Sequence, residues 1–179
     1  MTRRRALRQP DERTRKQIVE SDARGDARVE RLVANMGRSE FVLEHPIGFT
    51  ISKNLREHEI CSLSGLQASD KGGGYVWYRV PETEIFGKTL VLSLCFHNGL
   101  LESLSLSLVD PGLYGASWDE WSEERQKRCA EDTGEWLEAN GYELGRYSWG
   151  EIWAAYDPRS GSGGGGVRYD RKRTTEGHG

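Results

Sequence analysis

The chain has 179 residues, of which 36% are hydrophobic and 30% charged, and its formal net charge is −3. This length is typical of one domain with an appendage, and the mean hydropathy of −0.71 indicates polar segments beside an ordinary core. Three cysteines without a Cys-x-x-Cys motif argue against a disulfide scaffold, and no apolar run approaches the roughly 18 residues of a transmembrane helix, so we expect a cytoplasmic protein.

The first 37 residues are predicted to form a charged helical arm. Pro10 followed by Asp11 and Glu12 is typical of a helix start, because proline fits the first turn and acids favour the positive end of the helix dipole. Apolar residues at helical spacing precede Gly37, a natural helix stop; they are Val29, Leu32, Val33 and Met36. The arginines of the arm favour either a solvated helix face or a weak, salt-sensitive contact with an anionic surface.

The segment after the arm is predicted to contain short strands. Residues 41–43 and 47–51 have the pattern of two short extended pieces. Residues 52–74 are compatible with a loop that holds a short strand or one helical turn. Residues 75–80 are aromatic and β-branched, which predicts a strand that ends at Pro81.

Residues 88–109 predict a β-hairpin, because leucines alternate with smaller residues on both sides of a His-Asn-Gly turn. A two-residue turn would pair Leu94 with Ser103 and mix leucines and serines on one face. A three-residue loop with a left-handed glycine would pair Leu94 with Glu102 and Leu92 with Leu104, so that most apolar positions share the core face. The three-residue loop is therefore predicted.

The second half contains the principal helix. Ser117 and Glu120 fit a capping box, in which each side chain bonds an unpaired amide, so the helix is predicted to begin at about Trp118. It is predicted to end at Asn140-Gly141. One apolar stripe of this helix is predicted to be core; it holds Trp121, Cys129, Thr133, Trp136 and Leu137.

The other face of this helix is acidic. Between residues 119 and 138 there are eight carboxylates against three basic side chains. Such a face is either a solvated surface or a docking surface, where charge complementarity raises the association rate and an aromatic side chain supplies an anchor. If the face binds a partner, the contacting residues are predicted to be Trp118, Glu120, Glu123, Glu124, Glu131, Asp132 and Glu135.

The chain after the helix is predicted to return to the sheet. Residues 147–156 alternate as one strand, and residues 167–169 are predicted to form the strand that pairs with it. Residues 162–166 are almost pure glycine, and we expect them to be too flexible to order by themselves. Residues 171–179 are predicted to be a disordered tail.

No catalytic constellation emerges from the sequence. Pairing Cys95 with His97 fails because the turn redirects the histidine, so Cys95 and Cys129 are predicted to be buried apolar side chains. His58 and Cys61 are close in sequence, but nothing in the sequence predicts further ligands that would converge with them on a metal ion. The glycine run lacks the Gly-Lys-Ser/Thr ending and the following helix of a phosphate loop. We therefore predict no catalytic residue, no metal site and no cofactor.

Several short motifs stand in a fixed order over roughly residues 85 to 170. They are Trp136-Leu137, Tyr147-Ser148-Trp149-Gly150, Tyr156-Asp157-Pro158-Arg159-Ser160-Gly161 and Val167-Arg168-Tyr169. This order resembles a family of small uncharacterised bacterial proteins, which look like immunity proteins of polymorphic or contact-dependent toxin systems. The resemblance implies a protein that binds and neutralises a cognate toxin, and it implies no catalytic residue.

These patterns predict a single α+β domain over residues 38–170, with a mostly antiparallel sheet packed against the principal helix. The predicted function is a non-enzymatic binding protein whose acidic helix face covers a basic protein partner, such as a toxin domain. Nucleic acid and membranes are not expected as partners. The alternative is a small-molecule-binding or enzymatic domain with a pocket between sheet and helix, lined by Trp149, Trp153 and Tyr156.

Overall fold

The computed structural model of the protein describes residues 41–171, so the predicted arm of residues 1–37 and the predicted tail beyond residue 171 lie outside the described residues. The strands of the described part are β1 (Val42–His45), β2 (Phe49–Ser52), β3 (Gln67–Gly72), β4 (Tyr75–Ile85), β5 (Lys88–His97), β6 (Leu100–Leu108), β7 (Gly145–Tyr147), β8 (Gly150–Asp157) and β9 (Ser162–Tyr169). The helices are α1 (Glu57–Ile60), α2 (Pro111–Tyr114) and α3 (Glu123–Ala139), with a 3-10 turn at Trp118–Glu120 before α3.

The strands form one large antiparallel sheet and one small hairpin. Seven strands are ordered β3-β4-β5-β6-β9-β8-β7 within the described chain, and β1 pairs with β2 alone. Helix α3 packs across β9, β8 and β6. The predicted α+β class, with a mostly antiparallel sheet against one principal helix in the second half, is therefore confirmed.

The core lies between α3 and the leucine face of the central strands. Alternate residues of β5 and β6 point to this face and are almost inaccessible to solvent; they are Leu90, Leu92, Leu94, Leu104 and Leu106. The β1–β2 hairpin closes one end, where the rings of Phe41 and Tyr142 lie 4.6 Å apart. The Tyr142 hydroxyl donates to the Val42 carbonyl at 2.8 Å. This hydrogen bond joins two residues that are 100 positions apart in the chain and stabilises this end of the core.

The β5–β6 hairpin has a two-residue turn, which corrects the predicted three-residue loop. Asn98 and Gly99 both have positive φ, 50° and 76°, as a type I′ turn requires. The register then shifts once, next to the turn, and leaves Glu102 without an opposing residue. Leu94 therefore pairs with Leu104, two positions from its predicted partner. A two-residue turn without the bulge would place leucines and serines on the same face, and the bulge returns the leucines of both strands to one face.

Two predictions about β4 and its surroundings also need correction or completion. The strand does not end at Pro81 but continues to Ile85, because the register shifts between Val80 and Thr83 and the proline lies in that irregular step. Residues 52–74 hold both of the elements considered for them, the single helical turn α1 and the edge strand β3.

Helix α3 begins five residues later than predicted. Ser122 is the N-cap, and its hydroxyl accepts a hydrogen bond from the Arg125 amide at 3.2 Å. Ser117 makes no side-chain cap and instead precedes the 3-10 turn. Glu120 reaches back to the amide of Ala116 at 2.8 Å. The Ser-x-x-Glu pattern therefore closes a short turn rather than starting the helix.

Strand β9 contains the glycine run, which corrects the expectation that residues 162–166 stay too flexible to order. Residues 163–166 are buried in the interior of the sheet between β6 and β8. A Cβ on Gly163 would lie 2.7 Å from the carbonyl carbon of Gln126, and a Cβ on Gly165 would lie 3.0 Å from Thr133 Cγ2. The glycines therefore let the backbone of α3 approach β9 more closely than any other residue type permits.

The backbone of Gly163 is satisfied by side chains, because β6 pairs with β9 only as far as Gly165. Its amide donates to Gln126 Oε1 at 3.1 Å, and its carbonyl accepts from Ser107 Oγ at 3.2 Å. Gln126 also donates through Nε2 to the Tyr114 carbonyl at 3.3 Å. These bonds fix α3 on the sheet and satisfy buried backbone groups that the ladder leaves open.

The predicted strand of residues 147–156 is divided between two strands, because a turn at Ser148-Trp149 separates β7 from β8. Gly150 begins β8 with φ 156°, and an added Cβ would meet the Arg168 backbone. Beyond β9, the Arg171 guanidinium, the first residue of the predicted tail, donates to the carbonyls of Lys53 and Leu101 at 2.7 and 2.6 Å.

Candidate functional site

Two tryptophans stand at the surface before α3 begins. Trp118 is 80% exposed at the start of the 3-10 turn, and Trp121 is 40% exposed. The prediction that Trp121 belongs to the core stripe is wrong, because the helix starts after it. Its Nε1–H donates to the Gly161 carbonyl at 2.7 Å and its ring covers Gly161, so it ties the β8–β9 turn to this corner. Trp136, predicted on the same stripe, is buried.

The two tryptophans border an open cavity of about 360 Å³. Its other walls come from the residues between α2 and the 3-10 turn and from Ser160 to Ser162 in the β8–β9 turn. The indole ring of Trp118 makes no hydrogen bond or ring contact with any described residue. A large apolar side chain this exposed on an ordered turn is uncommon in a monomer and marks a candidate contact residue.

Four carboxylates of α3 form what we call the acidic helix face. They are Glu124, Glu131, Glu135 and Glu138, all exposed and without an ion pair or hydrogen bond to any residue in the range 41–171. Glu124, Glu131 and Glu135 belong to the predicted partner-binding set. Glu138 is not in that set, although it continues the same spacing one turn further along the helix.

The remaining predicted carboxylates already have partners inside the protein. Glu120 accepts from the Ala116 amide. Glu123 pairs with Lys127 at 2.6 Å. Asp132 Oδ2 accepts from the Tyr114 hydroxyl at 2.8 Å and lies 3.5 Å from Arg128 Nε. Burial, and then the bond to Asp132, raise the pKa of Tyr114.

A groove runs between α3 and β8, with a volume of about 450 Å³. It is lined by Lys127, Ala130, Glu131, Gly134, Glu135, Glu138, Leu144, Ala154, Ala155 and Tyr156. At one end Lys127 Nζ lies 5.8 Å from the centroid of the Tyr156 ring. Three members of the acidic helix face thus form the rim of a groove whose floor is made of small residues.

The structure does not bring together the three residues of the alternative pocket. Trp149 is buried and stacks on Tyr147 with ring centroids 5.1 Å apart. Trp153 lies against Gly166 on the sheet face opposite α3, because strand neighbours alternate between faces. Only Tyr156 lines the groove beside the helix.

The cysteines and histidines of residues 41–171 form no reactive centre. Cys95 and Cys129 are buried, as predicted, and burial raises the pKa of both thiols, which keeps them neutral. Among the described side chains, no group of three or more His, Cys, Asp or Glu residues could hold a metal ion. In the same part of the chain, no helix is both long and apolar enough to cross a membrane.

Comparison with known proteins returned one similar structure. No protein-family model and no curated protein matches the chain. Among solved structures, it is similar to a chain of "Rhs1-CT in complex with cognate immunity protein RhsI1", over 76% of this chain and 87% of that chain. The sequence identity is 17% and the TM-score is 0.48, a level of similarity that carries no conclusion about the site.

Proposed function

We propose that the protein binds a basic protein partner through Trp118 and the acidic helix face, without catalysing a reaction. Neutralisation of a cognate toxin, the role implied by the sequence resemblance, is the specific form of binding that we propose. The observation that carries this proposal is the 80% exposure of Trp118 on the 3-10 turn before α3, a helix that carries four unpaired carboxylates.

Charge supports a basic partner. Residues 41–171 contain 20 Asp and Glu against 12 Lys and Arg, and the acidic helix face concentrates four of these carboxylates on one element. A negative surface attracts a positive partner over about 10 Å at moderate salt and raises the association rate. Trp118 supplies the kind of large, rigid side chain that dominates binding energy when a partner covers it.

The rigidity of α3 supports binding without rearrangement. Its backbone rests against the glycines of β9, and Gln126 bonds both β9 and the segment at Tyr114. A helix held in this way loses little conformational entropy when a partner docks, so more of the contact energy appears as affinity.

Co-purification with the product of the adjacent gene tests the proposal. The variant Trp118→Ala and the double variant Glu131→Lys with Glu135→Lys should each weaken binding at least about 10-fold, because one removes the anchor and the other reverses the local charge. Glu82→Lys changes an exposed glutamate on β4 and is the matched control, expected to bind like the wild type. Retention of the partner by both site variants, or loss only in the control, would refute the proposal.

A further inference from the structure

Five of the eight residues of strand β8 have a free edge within the described chain. Strand β7 pairs with it only from Gly145↔Ile152 to Tyr147↔Gly150. Residues 153–157 pair with β9 on one side, and on the other side no strand of the described chain lies beside them. At about 3.3 Å per residue, this free edge is roughly 17 Å long.

The groups that point outward at this edge can be assigned from the ladder. The Asp170 amide donates to the Trp149 carbonyl at 2.8 Å, so residue 149 turns its backbone groups toward β9. Antiparallel strands alternate the direction of these groups residue by residue. The N–H and C=O of Ala154 and Tyr156 therefore point away from β9, out of the free edge of the sheet, and the same two residues line the groove beside α3.

The side chains of the same two residues face α3. Ala154 pairs with Gly165, and an added Cβ on Gly165 would contact Thr133 and Leu137 of the helix. A Cβ on Gly134 would lie 3.2 Å from Ala154 Cβ, so α3 lies close to β8 here because both residues are small. The groove thus offers unpaired backbone groups on its floor side and carboxylates on its rim.

We infer that the protein binds an extended basic segment of its partner as an added strand on the edge of β8, with Lys or Arg side chains in the groove toward Glu131, Glu135 and Glu138. This inference rests on the proposed function and names the segment that the acidic helix face recognises. Backbone hydrogen bonds from Ala154 and Tyr156 supply affinity, and alternate side chains of the added strand supply charge specificity.

The contacts of Lys127 show how a cation is bound at one end of the groove. Its ammonium group is held by Glu123 at 2.6 Å and lies over the Tyr156 ring. A cation at this end of the groove is therefore stabilised by a carboxylate and an aromatic face together. A basic side chain of an added strand would find the Glu131 carboxylate one helical turn beyond Lys127, on the rim of the same groove.

A fluorescein-labelled peptide, Val-Arg-Val-Arg-Val-Arg, tests the inference on the full chain by fluorescence anisotropy. Two matched peptides carry N-methyl groups either on the three arginines or on the three valines. Only one of these sets has its amides toward β8, so one methylated peptide should bind at least about 10-fold more weakly and the other like the parent. A Val-Glu repeat of equal length should not bind.

Protein variants give the second arm of the experiment. Glu131→Gln with Glu135→Gln removes charge from the rim and should weaken binding of the parent peptide about 5-fold, since two close charge pairs of about 0.5 kcal/mol each contribute about 1 kcal/mol together. Glu82→Gln with Glu84→Gln removes two exposed carboxylates of β4 that do not line the groove, and should change binding less than about 2-fold.

The outcomes separate this inference from the proposed function. Equal binding by the two methylated peptides, or equal weakening by the β4 control variant and the rim variant, would indicate recognition by charge alone and would overturn the added strand while leaving the proposed function intact. A dimer of the full chain that the peptide dissociates would assign the edge to a second copy and overturn the partner assignment. Failure of the proposed function itself is read from co-purification, independently of the peptide.

Discussion

The substitution Gly163→Ala tests the close contact between helix and sheet on which the site depends. The added Cβ would lie 2.7 Å from the Gln126 carbonyl carbon and 3.1 Å from the Ala130 amide nitrogen, with the Gln126 carbonyl oxygen closer still. Carbon atoms in contact normally stay at about 3.5–4.0 Å, so α3 must move away by roughly 1 Å. The obstacle is backbone on both sides, and no side-chain rotation can relieve it.

The expected cost combines overpacking with a lost hydrogen bond. Overpacking of a buried site costs about 1–3 kcal/mol. The shift also lengthens the bond from the Gly163 amide to Gln126 Oε1, for about 1 kcal/mol more. We therefore expect the free energy of unfolding to fall by about 3 kcal/mol, which corresponds to a lower melting temperature by about 10 °C.

Urea unfolding monitored by circular dichroism measures this change. Gly112→Ala is the control, because its nearest neighbour outside adjacent residues is Asp110 Oδ1 at 3.3 Å and its φ is not positive. The control should change the free energy of unfolding by less than about 0.5 kcal/mol. If Gly163→Ala lowers the free energy of unfolding by less than about 1 kcal/mol, the interpretation that α3 needs these glycines for its close approach to β9 is wrong.

Two further predictions concern single side chains. Burial, followed by the hydrogen bond to Glu57, raises the pKa of Tyr78 to about 12, so its contribution to stability is complete below the unfolded pKa of about 10 and is lost between pH 10 and 12. The stability of the wild type relative to Tyr78→Phe, measured by urea unfolding, should fall as the pH rises through this range, and a constant difference would contradict the assignment. Trp121→Phe keeps a ring but removes the donor to Gly161, and we expect a loss of about 1 kcal/mol together with faster proteolysis of the β8–β9 turn. Unchanged cleavage of that turn would show that the bond to Gly161 does not restrain it.

Local patterns were sufficient for much of the fold. The alternation of leucines in β5 and β6 depends on the period of a strand, and it predicted the buried face correctly. The stripe that includes Trp136 and Leu137 depends on the period of a helix, and both residues are buried. Patterns of this kind report which face is apolar, and burial of that face is what stabilises the elements.

The hairpin register was not accessible to the same reasoning. A bulge adds one residue to one strand and exchanges the two faces beyond it. A two-residue turn with the bulge at Glu102 and a three-residue loop without a bulge both put the leucines on one face. Only the preference of Asn98-Gly99 for a tight turn distinguishes them, and that preference favours the observed arrangement.

The predictions for the glycine run and for Trp121 were wrong for a different reason. The structure of both is determined by contacts with residues far away in sequence. Glycines in isolation are flexible, but in β9 all four pair with β8, Gly165 and Gly166 also pair with β6, and the helix backbone lies against Gly163. Trp121 follows the spacing of the helical stripe, yet the N-cap at Ser122 excludes it from the helix and its indole bonds Gly161 instead. Neither contact leaves a signal in a local window.

The glycines of β9 also connect the fold to the proposed site. Because α3 lies so close to β9, the neighbouring edge of β8 lies beside the helix, and Glu131, Glu135 and Glu138 form the rim of the groove at that edge. A helix held further away by side chains on β9 would leave the same carboxylates and the same backbone groups too far apart to bind one extended segment together. The glycine run of β9 therefore sets the geometry of the proposed binding surface, and we expect stability and recognition to change together when it is substituted.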